Sequence, residues 1–210
     1  LATKLGKAIR FAGDDVREFQ SRTSTGVRGV TLKGDDEVIS LSVLHRVSAN
    51  PEERETYLKF APWKGEREGE HGLGTERYND LKDREQFILT VCENGYGKLS
   101  SAYDYRRTGR GGQGITNIDN IARNGPVVAS FAAAKGHQLM LVTNQAKLIR
   151  TTLASLRVIS RNSAGVKLFD VAKGERMLFS SSPASLRKAG RAHARSSNAA
   201  TRGQRRASTA

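Results

Sequence analysis

Short apolar runs, separated by clusters of glycine, asparagine and aspartate, recur along most of the 210-residue chain. Such runs, rich in β-branched residues and bounded by turn-forming residues, are typical of β-strands. The predicted strands are residues 8–11, 27–32, 37–44, 87–92, 115–118, 126–131, 139–143, 147–150, 166–171 and 176–179. The hydrophobic pattern therefore predicts an all-β fold.

Three segments of the chain share one arrangement of anchor residues and are predicted to be copies of a repeat. Arg106 and Arg157 lie 51 residues apart, and Gly114 and Gly165 have the same separation. Arg17 precedes Arg106 by 89 residues, because residues 48–85 add 38 residues between the first two copies. A period of about 50 residues suits a four-stranded propeller blade. We predict a partial β-propeller or β-pinwheel of about three such blades.

The repeat and the composition divide the chain into five segments. The blades are predicted at residues 1–47, which is truncated at its amino end, 86–136 and 137–182. Residues 48–85 form an acidic, partly helical insertion, and residues 183–210 form a basic tail that we predict to be disordered. Because the sequence starts at Leu1 within a strand-turn pattern, we expect a fragment of a longer protein.

The insertion begins with a helix-start signal, since Asn50 precedes Pro51 and is followed three residues later by Glu53. This signal predicts a helix over residues 51–60, and a second helical turn is expected near residues 78–84. The insertion is interpreted as a decoration of a loop between blades, with a partner-docking surface as the alternative.

Positive charge is concentrated in the second half of the chain. The formal net charge is +14, of which the two later blades contribute +8 and the tail +7. The first blade carries +2 and the insertion −3. An excess of this size favours nucleic acid or another anionic surface as a partner.

Catalytic and metal-binding patterns are missing from the sequence. The four histidines and Cys92 lack metal-ligand spacing, and no serine, histidine and acid set or pair of acids stands out. Cys92 lies inside an apolar strand and is interpreted as a core residue. The sequence also lacks a secretory signal and an apolar run long enough for a membrane span. We therefore expect no cofactor and no metal in this chain, and no membrane association.

An arginine- and glycine-rich loop in the second copy is the main candidate for phosphate binding. Arginine offers a fork of donors to phosphate oxygens, and glycine lets the backbone approach a ligand closely. Residues 109–114 also satisfy the G-x-G-x-x-G pattern, but no buried strand precedes them and no helix follows, which argues against a dinucleotide site. The candidates in this loop are Arg106, Arg107, Gly109, Arg110, Gly111, Gly112, Gln113 and Gly114.

Matched arginines in the three copies extend this candidate site to other blades. Two arginine positions recur in every copy: Arg17, Arg106 and Arg157 share one, and Arg22, Arg110 and Arg161 share the other. One glycine position also recurs, at Gly26, Gly114 and Gly165, and is interpreted as structural. Gly109, Gly111 and Gly112 have no glycine counterparts in the other copies, so we expect that the fold does not need them. Arginines that recur once per blade predict a basic stripe around the rim, which suits a wrapped polyanion held by its phosphates. The alternative is that these arginines bridge neighbouring blades, near acids such as Asp14, Asp15 and Asp104. The further candidates are Arg17, Arg22, Arg28, Arg157, Arg161 and Lys167.

The motifs at residues 93–98, 103–115 and 147–150 resemble the late blades of the C-terminal domain of the DNA gyrase A protein, a component of a type II topoisomerase. The resemblance covers about residues 1–180 apart from the insertion. It implies a six-bladed β-pinwheel that wraps DNA around a basic rim, of which this chain holds about three blades. Gly109–Gly114 resembles a later-blade relative of the family's first-blade gyrase A box. Leu99 and Ser160 depart from the family pattern, which usually has a basic residue and a glycine there.

The resemblance also implies a setting for the chain. The parent enzyme, an isomerase, negatively supercoils DNA with ATP and Mg²⁺ bound outside this chain. Double-stranded DNA, the gyrase B protein and the rest of the gyrase A protein in an A2B2 assembly are the expected partners, in the bacterial cytoplasm near the nucleoid. No catalytic residue is expected here. Two alternatives stay open: the topoisomerase IV counterpart, which delivers DNA segments, and an interaction propeller that does not bind nucleic acid.

Overall fold

A computed structural model describes residues 1–65, 72–119, 121–134 and 136–181 of the chain. The predicted basic tail, 183–210, lies outside the described residues, as do residues 66–71 of the insertion. The strands are β1 (Ala2–Thr3), β2 (Lys7–Ala8), β3 (Val38–Ser40), β4 (Phe87–Cys92), β5 (Tyr96–Ser101), β6 (Ile115–Thr116), β7 (Val127–Ala133), β8 (Gln138–Thr143), β9 (Leu148–Thr152), β10 (Val166–Lys167) and β11 (Met177–Ser181). The α-helices are α1 (Pro51–Lys59), α2 (Thr75–Asp83) and α3 (Ile121–Asn124).

The strands form three antiparallel sheets, one for each copy of the repeat. The first sheet has the order β3-β1-β2-β6, the second β10-β5-β4-β7, and the third, within the described residues, β11-β8-β9. In each sheet two consecutive strands form a tight hairpin, and a later strand of the same copy pairs with the first hairpin strand. The predicted all-β, blade-like fold is confirmed.

The sheets share strands between copies, which the repeat alone did not predict. Strand β6 comes from the second copy but pairs with β2 of the first, where Lys7 lies opposite Thr116. Strand β10 comes from the third copy and pairs in the same way with β5 of the second. The prediction had each copy forming a separate blade, whereas each of the first two sheets is completed by the following copy.

Glycine makes this exchange possible at two matched positions. Gly114 and Gly165 have φ angles of +73° and +79°, and each precedes an exchanged strand. A Cβ atom on Gly114 would lie 2.6 Å from the Ala8 carbonyl oxygen, and one on Gly165 would lie 2.8 Å from that of Gly97. The structural role predicted for these glycines is therefore explained by backbone contact with the preceding sheet. Gly26, at the matched place in the first copy, has the same kind of φ angle but faces open space.

The first copy is less regular than the second. Strand β1 has two residues, whereas its counterpart β4 has six, and the chain has no residues at positions matching 87–89. The segment predicted as a strand at residues 27–32 is not a regular strand either. Instead, Thr31 and Gly29 exchange backbone hydrogen bonds with Gly112 and Gly111, at 2.9 Å each.

The main hydrophobic core lies between the second and third sheets. It contains residues from β4, β5, β7, β8 and the segments that follow β9. Leu89, Val91, Leu99, Leu139 and Leu153 are fully buried there. Cys92 is also fully buried, and burial raises the pKa of its thiol to about 12, as suits a core residue.

The insertion folds as two short helices whose first cap follows the sequence signal. The Asn50 side-chain oxygen accepts a hydrogen bond from the Glu53 backbone N–H at 2.7 Å, and the Glu53 carboxylate accepts one from the Asn50 N–H at 2.8 Å. Pro51 occupies the first helical position. The helix predicted at residues 51–60 is therefore present as α1. The second helical segment, α2, begins at Thr75, three residues earlier than expected.

A tyrosine cluster fixes the insertion to the second copy. Tyr57 is fully buried, with its ring 5.4 Å from that of Tyr78 and 5.3 Å, edge to face, from that of Tyr103. Tyr103 belongs to the second copy, and its hydroxyl donates to the Leu81 carbonyl at 2.9 Å. The Glu85 carboxylate accepts a hydrogen bond from the Tyr57 hydroxyl. Aromatic packing with satisfied polar tips makes the insertion part of the folded body.

Candidate nucleic-acid interface

The arginine- and glycine-rich loop lies against the first copy. The Thr31 hydroxyl donates to the Gly111 carbonyl at 2.7 Å, in addition to the backbone bonds between residues 29–31 and 111–112. Gly111 has a φ of +83°, whereas the matched Asn162 in the third copy lies outside this region, so the second copy uses glycine there for its own loop conformation. This corrects the expectation that the fold needs none of the three loop glycines without counterparts in the other copies, Gly109, Gly111 and Gly112.

The backbone at Gly109 and Gly112 does not require glycine. Neither Gly109 nor Gly112 has a positive φ, and a Cβ on Gly109 would meet nothing within 4 Å. A Cβ on Gly112 would meet only the end of the Ile9 side chain, at 3.7 Å. Gly112 and Gln113 are exposed, as is Gly109, so this part of the loop presents bare backbone to the surface.

Two matched arginines, Arg110 and Arg161, bridge neighbouring copies. The Arg110 guanidinium donates to the backbone carbonyls of Asp15, at 3.2 Å, and Arg28, at 2.6 Å. The Arg161 guanidinium donates to the carbonyls of Asp104, at 3.2 Å, and Thr116. The bridging alternative considered for this position therefore describes both side chains, except that they bind carbonyl oxygens and not carboxylates.

The other matched arginine position is exposed in all three copies, at Arg17, Arg106 and Arg157. The guanidinium of Arg17 stacks over the Phe19 ring at 4.7 Å. None of the three takes part in an ion pair among the described residues. Arg107, Arg22 and Arg28 are predicted contacts that make no ion pair there either, while Lys167 is exposed and pairs with Asp170 at 2.5 Å.

Two of the predicted basic residues meet in a groove between sheets. This groove, of about 520 Å³, is lined by Lys7, Asp104, Arg106, Ile115, Thr116, Arg161 and Asn162. It brings Arg106 and Arg161 together with Lys7, which the sequence analysis did not select. Only the strand exchange between β2 and β6 brings Lys7 to this place, so no local sequence signal marked it.

A buried ammonium group, Lys98, was also missed. Its side chain is fully buried, and its Nζ donates to the carbonyls of Ser160, at 3.0 Å, Arg161, and Ser163, at 3.0 Å. Burial, together with the nearby Arg161 charge, lowers its pKa to about 7. Lys98 thus holds the turn of the third copy from inside the second sheet.

Another cavity, of about 950 Å³, lies beside the first sheet. It is lined by Leu1, by Arg10 and its neighbours on one side, and by residues 40–49 on the other. Of the predicted site residues, Arg107 lines this cavity.

The described residues contain no group of three or more histidine, cysteine, aspartate or glutamate side chains placed to hold a metal ion. The described part of the chain also has no helix that is long and apolar enough to cross a membrane.

Three antiparallel sheets that recur along the chain and share strands define a β-propeller of the pinwheel type. A family model for the DNA gyrase C-terminal domain, beta-propeller, matches residues 1–45, 86–133 and 137–179. The chain belongs to this family. The insertion lies between the first two matched segments.

Similar proteins agree with this assignment. The DNA gyrase A protein of Rickettsia bellii (strain RML369-C) is 46% identical over 172 residues, which cover 77% of this chain and 19% of that protein. The chain therefore spans about a fifth of the length of this relative. A solved DNA gyrase A C-terminal domain has a TM-score of 0.62 at 21% identity, covering 86% of this chain and 48% of that one. The C-terminal domain of DNA topoisomerase IV has a TM-score of 0.64 at 15% identity, covering 86% and 45%. At these identities the two structures show the fold alone.

Proposed function

We propose that this chain binds double-stranded DNA and wraps it as part of a DNA gyrase A protein. The observation that carries the proposal is the exposed arginine at one matched position in each copy, Arg17, Arg106 and Arg157, free of ion pairs among the described residues. A positive group repeated once per sheet suits a backbone that carries phosphates at regular intervals. Family membership supports the same conclusion.

The proposed mechanism is binding without chemistry. Exposed arginines contact phosphate oxygens, and the bare backbone at Gly109 and Gly112 leaves room for close approach of the DNA. Arg110 and Arg161 act mainly by holding adjacent sheets together, so that the exposed arginines keep their spacing. Such contacts fix the path of the duplex and read little of its sequence.

The proposal extends to the whole enzyme. Within it, this chain supports ATP-dependent negative supercoiling, in an A2B2 assembly with the gyrase B protein and the rest of the gyrase A protein. ATP and Mg²⁺ act elsewhere in that assembly, and this chain needs no cofactor. We place the assembly in the bacterial cytoplasm, with the nucleoid.

The salt dependence of DNA binding tests the proposal. Affinity for a duplex should fall steeply with salt, and the triple variant Arg17→Gln, Arg106→Gln, Arg157→Gln should reduce the slope of log K against log salt by about 3. The matched control removes the same charge at exposed positions outside the candidate interface, with Lys33→Gln, Lys82→Gln and Lys173→Gln. Equal slopes for the two triple variants would contradict a specific role for the matched arginines.

The topoisomerase IV counterpart is a weaker candidate. The fold fits both families, but the 46% identical relative is a gyrase A protein, which favours gyrase. The superhelical sense of DNA bound by the full-length protein would separate wrapping from segment delivery.

A further inference from the structure

Each of the three copies contributes one base to the groove described above. Lys7 begins β2 in the first copy, Arg106 follows the 3-10 turn Ala102–Asp104 in the second, and Arg161 lies in the turn of the third. Thr116 lines the same groove and lies opposite Lys7 in the exchanged strand pair. The site therefore exists only when all three copies are folded together.

Donors outnumber acceptors in this groove. Lys7 Nζ makes one hydrogen bond, 3.2 Å to the Thr116 hydroxyl, and no ion pair among the described residues. Arg106 has neither a side-chain hydrogen bond nor an ion pair in that part of the chain. The single acid, Asp104, accepts a hydrogen bond from the Arg161 backbone N–H at 3.3 Å. Three cations facing one carboxylate leave an excess of positive charge and free donors.

The matched positions elsewhere do not repeat this arrangement. Tyr96 replaces Lys7 in the second copy, and in the third Lys147 is held by the buried Glu175 at 2.8 Å. Gly111 stands in the second copy where the third has Asn162, whose amide adds a donor to the groove. The convergence of three bases is therefore a feature of this one place and does not follow from the repeat.

We propose that this groove is a discrete phosphate subsite, in which Lys7, Arg106 and the Arg161 donors that are not bound to carbonyls hold one phosphodiester group of the bound duplex. The inference rests on the proposed DNA binding and adds to it a defined position. Charge-assisted hydrogen bonds from several bases to one phosphate are strong and fix its position. Because the bases come from three copies, the bound phosphate locks the register of the DNA on the sheets.

A double-mutant cycle on the full chain tests the subsite. The variants are Lys7→Gln, Arg106→Gln and their combination, and both side chains are exposed, so the fold should be retained. If both bases hold one phosphate, the double variant should lose about tenfold in duplex affinity, and less than the product of the two single losses. Its salt slope should fall by about 1.

The matched control is Lys33→Gln, alone and combined with Arg106→Gln. Lys33 is an exposed lysine of the first copy outside the groove, so its effect should be small and should multiply with that of Arg106→Gln. Independent effects of Lys7→Gln and Arg106→Gln, with Lys7→Gln no larger than the control, would overturn the subsite while leaving DNA binding intact. Failure of the unaltered chain to bind duplex DNA would overturn the proposed function as well.

A second measurement separates a DNA phosphate from a free one. NMR signals of the Lys7 amide and the Arg106 Nε–H are followed during titration with inorganic phosphate alone, with duplex alone, and with both. Shifts caused by duplex at low concentration, reversed by excess phosphate, support a phosphodiester site. Shifts caused by phosphate but not by duplex would mean that the groove binds a free anion, and would overturn the proposal.

Discussion

The structure has two junctions between copies, one between the first and second and one between the second and third. They share the same backbone pairing and arginine contacts but differ in the side chain that packs beneath the turn. In both, an arginine donates to two carbonyls of the preceding copy, through Arg110 in the first junction and Arg161 in the second. In both, a segment after the hairpin runs parallel to the preceding hairpin, with Arg10 beside Arg107 and Leu99 beside Val158.

The difference lies under the turn that each arginine occupies. At the first junction, the apolar Ile9 lies below the glycine-rich turn, close to Gly112. At the second, the matched residue is Lys98, and its ammonium binds three carbonyls of the serine- and asparagine-containing turn. The same turn can thus be held by packing or by a buried cation, and the side chains of the turn differ accordingly.

The largest change in stability is expected from adding a side chain to a glycine that packs against the next copy. A Cβ on Gly95 would lie 2.3 Å from the Phe169 carbonyl oxygen of the next copy, and φ there is +79°. We expect Gly95→Ala to lower the free energy of unfolding by about 3 kcal/mol, from a left-handed backbone and a backbone clash. Chemical denaturation measures this value.

The matched positions provide the controls. At Gly6 the nearest backbone atom would be 2.9 Å away, so Gly6→Ala should cost less. The third copy has an exposed Ala146 at a φ of +59° in this position, and Ala146→Gly should be neutral or slightly stabilising. Equal losses for Gly95→Ala and Gly6→Ala would show that backbone conformation, and not contact between copies, sets the cost.

Removal of the buried ammonium should have the next largest effect. Lys98→Met leaves three carbonyls without their donor, and we expect a loss of about 2 kcal/mol in the free energy of unfolding. The matched exchange at the first junction, Ile9→Met, changes little but shape and should cost under about 1.5 kcal/mol. A more stable Lys98→Met protein would mean that burying the charge costs more than its hydrogen bonds return.

The two bridging arginines should give similar, smaller losses. Arg161→Ala and Arg110→Ala each remove charge-assisted hydrogen bonds to two carbonyls that are partly open to water, with an expected loss of about 1.5 kcal/mol. Hydrogen exchange of the exchanged strands should report the loss locally, in β10 for Arg161→Ala and in β6 for Arg110→Ala. Loss of protection in both strands from either variant would indicate that the junctions do not act separately.

The smallest expected effect is a pH dependence of stability that only the second junction contributes, because Lys98 takes the place there that Ile9 has at the first junction. Burial lowers the pKa of Lys98 from 10.5 to about 7, so between these values the unfolded chain binds more protons than the folded one. The free energy of unfolding should therefore rise with pH over this range, by about 1.4 kcal/mol per pH unit at most. The Lys98 contribution is the slope of the unaltered chain minus that of Lys98→Met, both measured by denaturation at several pH values, because Cys92 and the Leu1 amino group also titrate with shifted pKa values in this range. A slope of opposite sign, lost in Lys98→Met, would mean that the carbonyls retain the proton above its ordinary pKa.

Local sequence signals predicted the parts of this structure that depend on neighbours in the chain. Strand β4 spans the predicted residues, and the Asn50–Glu53 cap begins α1. The repeat predicted that Gly114 and Gly165 are structural, because equivalent copies make equivalent contacts. Lys7 and Lys98 were missed because their partners lie in other copies, and because the matched residues, Tyr96 and Ile9, are of a different kind.

Because strands β6 and β10 are exchanged, the boundaries of the sequence repeat do not coincide with the boundaries of the sheets. Each exchanged strand is covalently part of one copy but hydrogen-bonded into the sheet before it. Melting one copy therefore removes an edge from its predecessor, and loss of order should pass backwards along the chain. A boundary drawn between copies would cut through a sheet, so a piece that unfolds independently must end after an exchanged strand.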